Sequence, residues 1–224
     1  MTDVKLISYS QPTSEMIENG VESIMDLIAF CSRVSNPENQ YNSETYQKLV
    51  KYLIKHKHWS PFELVNVCME INTTRDIGRQ ILRHRSFSFN EFSQRYANPL
   101  EDLEFVFREA RLQDEKNRQN SIALDADSEE HQQLEKIWRL CQENILTEVR
   151  KSYNWAIQSG IAKEQARAIL PEGLTKSRLY VNGTLRSWIH YIELRSDHGT
   201  QLEHIEIAKE CANVINAIFP MENF

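Results

Sequence analysis

The stretch from Ser128 to Gly160 constrains the fold of this 224-residue chain more than any other. Leu134, Ile137, Trp138, Cys141, Ile145, Val149, Tyr153 and Ala156 recur at spacings of three and four, which is the period of one helix face. Ser128 and the two glutamates after it open this helix, and Gly160 caps it. At ~1.5 Å per residue the helix is on the order of 45 Å long, the length of a whole domain or more.

The other elements are shorter and of mixed type. Residues 4–9 read as a strand, and 21–34 as a helix with Ile24, Leu27, Ile28 and Cys31 on one side. Ser43 caps a second helix carrying Tyr46, Leu49, Val50, Leu53 and Ile54 on one face. Residues 62–71 alternate as a half-buried strand with Val65, Val67, Met69 and Ile71 inward. Thr74 caps a helix running to about Arg85, and 86–96 reads as an ordered loop. A strand is expected at 103–107, an exposed polar excursion at 108–130, a short helix at 163–170 before Pro171 and a strand at 178–182. Helices at 184–195 and 200–218 complete the chain. This order lacks regular βαβ alternation. It predicts one α+β domain over 1–224, with a small antiparallel sheet flanked by helices and no Rossmann fold.

Composition narrows the chemistry. The net charge is −6, which disfavours a whole-surface field for nucleic acid or anionic membrane. Residues 101–135 hold 11 acids and 4 bases, so the rest of the chain carries a net +1 and the acidity is local. Four well-separated cysteines without a C-x-x-C pair point to reduced thiols in a cytoplasmic compartment, that of a host if the chain is viral. No basic, apolar leader opens the sequence and no 18-residue window is free of charge, so neither secretion nor membrane spanning is expected. The six glycines, at 20, 78, 160, 173, 183 and 199, spell neither a dinucleotide loop, a Walker loop nor a nucleophile elbow. His56 and His58, or His198 and His204, match no zinc pattern, and no metal site is expected.

The stretch 75–96, RDIGRQILRHRSFSFNEFSQRY, holds five of the 15 arginines. On a helix Arg75, Arg79 and Arg83 would share a face with Gln80 nearby, a set of planar donors suited to phosphate or carboxylate. The blander reading is a solvated face paired to acids. Arg83, His84 and Arg85 are consecutive, so they cannot all face solvent on a regular helix; one must turn inward or sit where the helix ends. Ser86, Ser88, Asn90, Glu91, Ser93 and Gln94 follow, a concentration of hydrogen-bonding groups that suits a polar ligand.

Arg83-His84-Arg85, seven residues and Ser93 spell R-H-R-x7-S, the signature of the flavin-dependent thymidylate synthases. The resemblance extends through Ser88, Asn90, Glu91, Arg95 and Tyr96, upstream to His58-Trp-Ser60-Pro61-Phe62-Glu63, and downstream to Ala166-Arg167, Leu170-Pro171, Arg186 to His190 and Leu194-Arg195. It covers about 55–210 in order. The resemblance implies methylation of dUMP to dTMP, with 5,10-methylenetetrahydrofolate as carbon donor and FAD, reduced by NADPH, as hydride carrier. It implies that Arg83, His84 and Arg85 contact FAD, with Ser60, Glu91, Thr184, Arg186 and His190 on the flavin side. It places Gln80, Arg83, Glu91, Ser93, Arg95, Arg167 and Arg195 on dUMP, Arg195 at the uracil edge as the catalytic residue. His58 and Tyr96 are candidates for ring contacts. It also implies a homotetramer with active sites shared between subunits. Leu64, Gln94 and Thr184 depart from the family's usual residues, and Gly199 stands where members often carry His.

Two other readings compete. One is a nucleic-acid-binding module that stacks bases on Phe87, Phe89 and Phe92 beside the 75–95 arginines. The other is a helical scaffold whose arginines only pair with acids.

Overall fold

The computed structural model describes residues 3–220. In chain order, strand β1 (Asp3–Tyr9) leads to helices α1 (Ser14–Glu18), α2 (Ile24–Ser32) and α3 (Tyr46–Lys55). Strand β2 (Asn66–Thr74) runs directly into α4 (Arg75–Ile81), followed by β3 (Phe87–Glu91) and the single turn α5 (Pro99–Asp102). A hairpin of β4 (Arg111–Gln113) and β5 (Ser121–Ala123) precedes the long α6 (Glu129–Gln158) and the short α7 (Lys163–Ala166). Strand β6 (Lys176–Thr184) runs directly into α8 (Leu185–Arg195), and α9 (Leu202–Ile218) closes the fold. Among the described residues no helix is long and apolar enough to cross a membrane.

The fold is the expected α+β class. Four antiparallel strands lie in the order β1-β2-β6-β3, with β6 between β2 and β3. Period-two alternation sorts the sheet into two faces. Val67, Met69, Ile71, Leu179 and Val181 are buried against α2, α3, α8 and α9. The opposite face carries Glu70, Asn72 and Arg178, joined by hydrogen bonds from Arg178 Nε to Asn72 Oδ1 (3.1 Å) and from Asn72 Nδ2 to Glu70 Oε1 (2.9 Å). A cavity of about 820 Å³ lies over this polar face, between it and the segment 100–111.

Several local expectations are corrected. Residues 60–64 form a 3-10 turn, so the strand expected from 62 starts at Asn66. Ser43 does not cap α3; a 3-10 turn over Ser43–Thr45 leads in instead. The helix after Thr74 stops at Ile81, because Arg83 N and His84 N bond three residues back, to Gln80 and Ile81, and tighten the last turn. The loop expected at 86–96 contains β3, whose apolar Phe87 and Phe89 alternate with Ser88 and Asn90 against β6. The strand expected at 103–107 is reduced to one bridge, Phe105 to Thr175.

The long helix is present, capped by the Ser128 hydroxyl, which accepts from His131 N, with Gly160 at φ +80° after its end. Its stripe is only half internal. Tyr153 and Ala156 are buried with Ala166 and Leu170 in a small second core. Leu134, Ile137, Trp138, Cys141 and Ile145 are exposed, and the buried residues of that half are Gln142 and Leu146. The excursion at 108–130 is not wholly solvated either: Arg108 and Arg111 are ion-paired and largely covered, each about 15% exposed at the side chain.

Gly183 is fixed by packing. A Cβ there would lie 2.2 Å from Phe87 Cδ1, and Phe87 is itself packed on Trp188 with ring centroids 4.6 Å apart. A Gly183→Ala protein is expected to lose about 1–3 kcal/mol in urea unfolding, and shortening the opposing ring in a Phe87→Leu/Gly183→Ala protein should return part of it.

Candidate active site

Residues 75–96 divide by partner. Arg75 is buried; its Nη1 lies 3.5 Å from Glu91 Oε1 and its Nε 3.5 Å from Glu172 Oε1. Arg79 is exposed but faces the same two acids, at 3.8 and 3.9 Å. The bland reading, arginines paired with acids, therefore holds for these two. The early end of α4 takes Arg83 off their face, into the turn before β3. Arg83 and Arg85 are exposed and, among the described residues, have no carboxylate partner, while His84 between them turns inward. The R-H-R triplet thus sits where the helix ends, with two unpaired cations flanking one half-buried imidazole.

His84 reaches α8. Arg195 Nε donates to His84 Nε2 at 2.9 Å, and the imidazole edge meets the Tyr191 ring at a centroid distance of 5.0 Å. To accept this bond His84 must be neutral, with its proton on Nδ1. Burial, then the Arg195 and Arg83 charges, push its pKa down to about 4. Next to it, Gln80 Nε2 donates to Gln201 Oε1 (2.9 Å), and Gln80 Oε1 lies 3.1 Å from His204 Nδ1. Glu91 is anchored by Ser177 Oγ, which donates to Oε1 at 2.9 Å, as well as by Arg75 and Arg79.

Of the residues assigned to the flavin side, Ser60, Thr184, Arg186 and His190 lie around the start of α8 and the 60–64 turn, whereas Glu91 sits at the other end of β3 with Arg75 and Arg79. Thr184 caps α8, its hydroxyl accepting from Ser187 N at 3.2 Å, so that oxygen is committed locally. His190 stands edge-on to Trp59 at 4.9 Å. Arg186 pairs with Glu63 through Nη1, while its Nε is buried and has no partner among the described residues. Ser60 is exposed at the head of its turn. Ser93 accepts from Arg95 N at 3.4 Å, Arg95 pairs with Glu164 of α7 at 3.3 Å, and Lys163 donates to the Tyr96 carbonyl. Ser93, Arg95 and Tyr96 therefore lie beside α7 and Arg167. Among the described residues no hydrogen bond or ion pair joins this group to Gln80, His84 and Arg195.

Sequence reasoning missed the residues that hold this site. Arg108 donates to Thr74 Oγ1 (2.6 Å) and Asp76 Oδ1 (2.9 Å), and pairs with Glu203 (2.9 Å), which also takes Arg111. Burial works to raise the Glu203 pKa, but its backbone bond and the two arginines outweigh it, and the net shift is downward. Nothing in the local composition marks Arg108. His204 was missed as well, although a signal was there: it shares a helical stripe with Ile207, Ala208, Cys211 and Ile215, all buried.

The model of the thymidylate synthase complementing protein family matches residues 15–221. A probable flavin-dependent thymidylate synthase of Paramecium bursaria Chlorella virus 1 is 49% identical over 216 residues, spanning 96% of this chain and 94% of its own. The flavin-dependent thymidylate synthase of Synechocystis sp. is 45% identical over 219 residues, spanning 97% and 96%. The chain belongs to the flavin-dependent thymidylate synthase family. A UMP/dUMP methylase of Streptomyces cacaoi, solved with 5-Br dUMP bound, superposes with a TM-score of 0.76 over 97% of this chain and 91% of that one; at 23% identity the likeness speaks to the fold alone. In family terms, the R-H-R signature marks the α4 exit turn, and its imidazole meets the Leu194-Arg195 motif.

Because His84 is held below the ordinary 6.5, folding favours its neutral form. That contribution is complete above about pH 6.5 and is lost as the pH falls toward about 4, where the unfolded chain takes up a proton that the folded one refuses. A His84→Gln protein should show a shallower loss of stability across this window in urea unfolding; equal slopes would count against a neutral His84.

Proposed function

We propose that the protein methylates dUMP to dTMP, using 5,10-methylenetetrahydrofolate, FAD and NADPH, as a flavin-dependent thymidylate synthase acting through one catalytic domain. The observation that carries this reading is Arg195 held by a neutral His84 beside the unpaired Arg83 and Arg85.

Arg195 spends one donor, Nε, on His84, and its terminal nitrogens have no protein partner among the described residues. A guanidinium fixed in this way offers a permanent positive charge to the uracil edge, where negative charge develops in the reaction. A protonated His84 would lose the accepting lone pair and repel Arg195, so its low pKa keeps the pair intact at neutral pH. Gln80, Arg83, Glu91, Ser93, Arg95 and Arg167 form the rest of the dUMP set in this reading, with the arginines and Ser93 on the phosphate.

The residues assigned to FAD fit an anionic, aromatic cofactor. The buried Nε of Arg186, which has no partner among the described residues, is a donor in need of an acceptor, and the exposed Arg83 and Arg85 add charge. His190 and Trp59 offer ring edges, with Ser60, His84, Glu91 and Thr184 completing the set. FAD, reduced by NADPH, supplies the hydride when bound. Thiol chemistry is poorly served: burial pushes the Cys31, Cys68 and Cys211 thiols up, away from the nucleophilic thiolate.

We further propose a homotetramer with shared sites, in the cytoplasm, where the four unpaired cysteines are stable. Trp155 is 63% exposed and Leu140 55% on α6, apolar surface that a second copy would cover. The nucleic-acid reading loses its platform, because Phe87 is buried against Trp188 and Phe89 packs on the core.

Purified protein should carry a flavin absorbance band and form dTMP from dUMP; a colourless protein that does not bind added FAD would refute the assignment. Arg195→Ala should keep its flavin and lose about 100-fold or more in turnover, whereas full activity would remove Arg195 from the chemistry. Light scattering should give a mass four times that of the chain, and a monomer at micromolar concentration would overturn the shared site.

A further inference from the structure

His204 takes no part in the reaction outlined above, yet it is fully buried, next to a glutamate held by two arginines. Its ring bridges two other side chains. The Tyr191 hydroxyl lies 3.0 Å from Nε2, and Gln80 Oε1 lies 3.1 Å from Nδ1. Gln80 Nε2 in turn donates to Gln201 Oε1 at 2.9 Å.

The direction of this chain follows from counting donors. The buried Tyr191 hydroxyl has one hydrogen and, among the described residues, one hydrogen-bond partner, His204 Nε2. Leaving a buried O–H without an acceptor costs more than leaving an oxygen lone pair unused, so Tyr191 donates and Nε2 accepts. The imidazole proton is then on Nδ1 and is donated to Gln80 Oε1. The Gln80 amide is thereby fixed: its oxygen is occupied, one N–H is given to Gln201, and one N–H is left. A second proton on His204 is opposed by burial, then by Arg195 and His84, which bring its pKa to about 3. The arrangement therefore persists at any working pH.

We propose that His204 is a positioning residue for the nucleotide: locked by Tyr191 as the Nδ1–H tautomer, it makes Gln80 meet dUMP as a hydrogen-bond donor only, so that Gln80 selects an acceptor oxygen. This rests on the proposed contact between Gln80 and dUMP. Without the lock, the amide can turn over and present oxygen to an anionic ligand, which disfavours binding.

The test is calorimetric titration of dUMP into the flavin-loaded protein, with flavin content recorded for each variant. His204→Leu should weaken dUMP binding about tenfold, and His204→Asn, whose amide N–H replaces Nδ1–H, should recover it to within about threefold. Gln80→Glu should bind more weakly than Gln80→Ala, because it turns an acceptor and a charge toward an anion. Tyr191→Phe keeps the packing if His204→Leu fails to fold; it should weaken dUMP severalfold and release His204 from a single tautomer in nitrogen NMR. The wild type should hold the proton on Nδ1 from about pH 5 to 8. If Gln80→Ala weakens binding while His204→Leu and Tyr191→Phe do not, the positioning role is overturned and the Gln80 contact stands. If Gln80→Ala binds dUMP like the wild type, the contact and the role fall together. Equal weakening by His204→Leu and His204→Asn would make His204 a packing residue only.

Discussion

The guanidinium of Arg108 holds together the elements around the site. It donates to the Gly173 carbonyl, to Thr74 and Asp76 at the start of α4, and pairs with Glu203 in the first turn of α9. Its backbone is gripped as well: Gln142 of α6 takes its N–H and, with Trp138, donates to its carbonyl. Four segments distant in sequence are thus referred to one residue. A covered cation is costly unless its donors are matched, and here carboxylates and carbonyls match them; removing any partner would leave charge uncompensated.

That clamp sets where α4 and α9 lie relative to each other, and the polar chemistry follows. Asp76 fixes one end of α4 against Arg108, while Gln80, one turn on, meets Gln201, which precedes α9, and His204 within it. At the exit of α4, His84 meets Arg195 from α8. His204 is buried and His84 half-buried, and the Arg195 charge lowers the proton affinity of both, with His84 adding to the effect on His204. Neutral histidines can accept in one direction and donate in the other, which a cation cannot. The site therefore combines fixed arginine charge with hydrogen bonds whose direction is set by buried neighbours.

Much of this was legible in the sequence, for reasons that differ by residue. Alternation in 65–71 and helical spacing in α2 and α3 report burial directly; both helices are present, and the strand is displaced to Asn66–Thr74 by the 3-10 turn before it. β3 was missed because Phe87 to Glu91 owes its strand to pairing with β6, while its serines and asparagine favour loops. The Arg75–Arg79–Arg83 face was misjudged because helix length depends on where the last turn tightens, which local propensity does not decide. The apolar stripe of α6 lies on one helix, but period alone does not say whether the chain itself covers it, and half of it is exposed.

By itself, the sequence determined the α+β class, the long helix, and the Arg83-His84-Arg85 and Leu194-Arg195 motifs, because periodicity and motif spacing are local properties. Tertiary structure alone decided that His84 meets Arg195, that Arg75 and Arg79 are spent on Glu91 and Glu172, and that His204 faces Gln80. These contacts join residues up to 124 positions apart. Their hydrogen-bond directions depend on which donors are buried together, and only the packed chain brings those donors to one place.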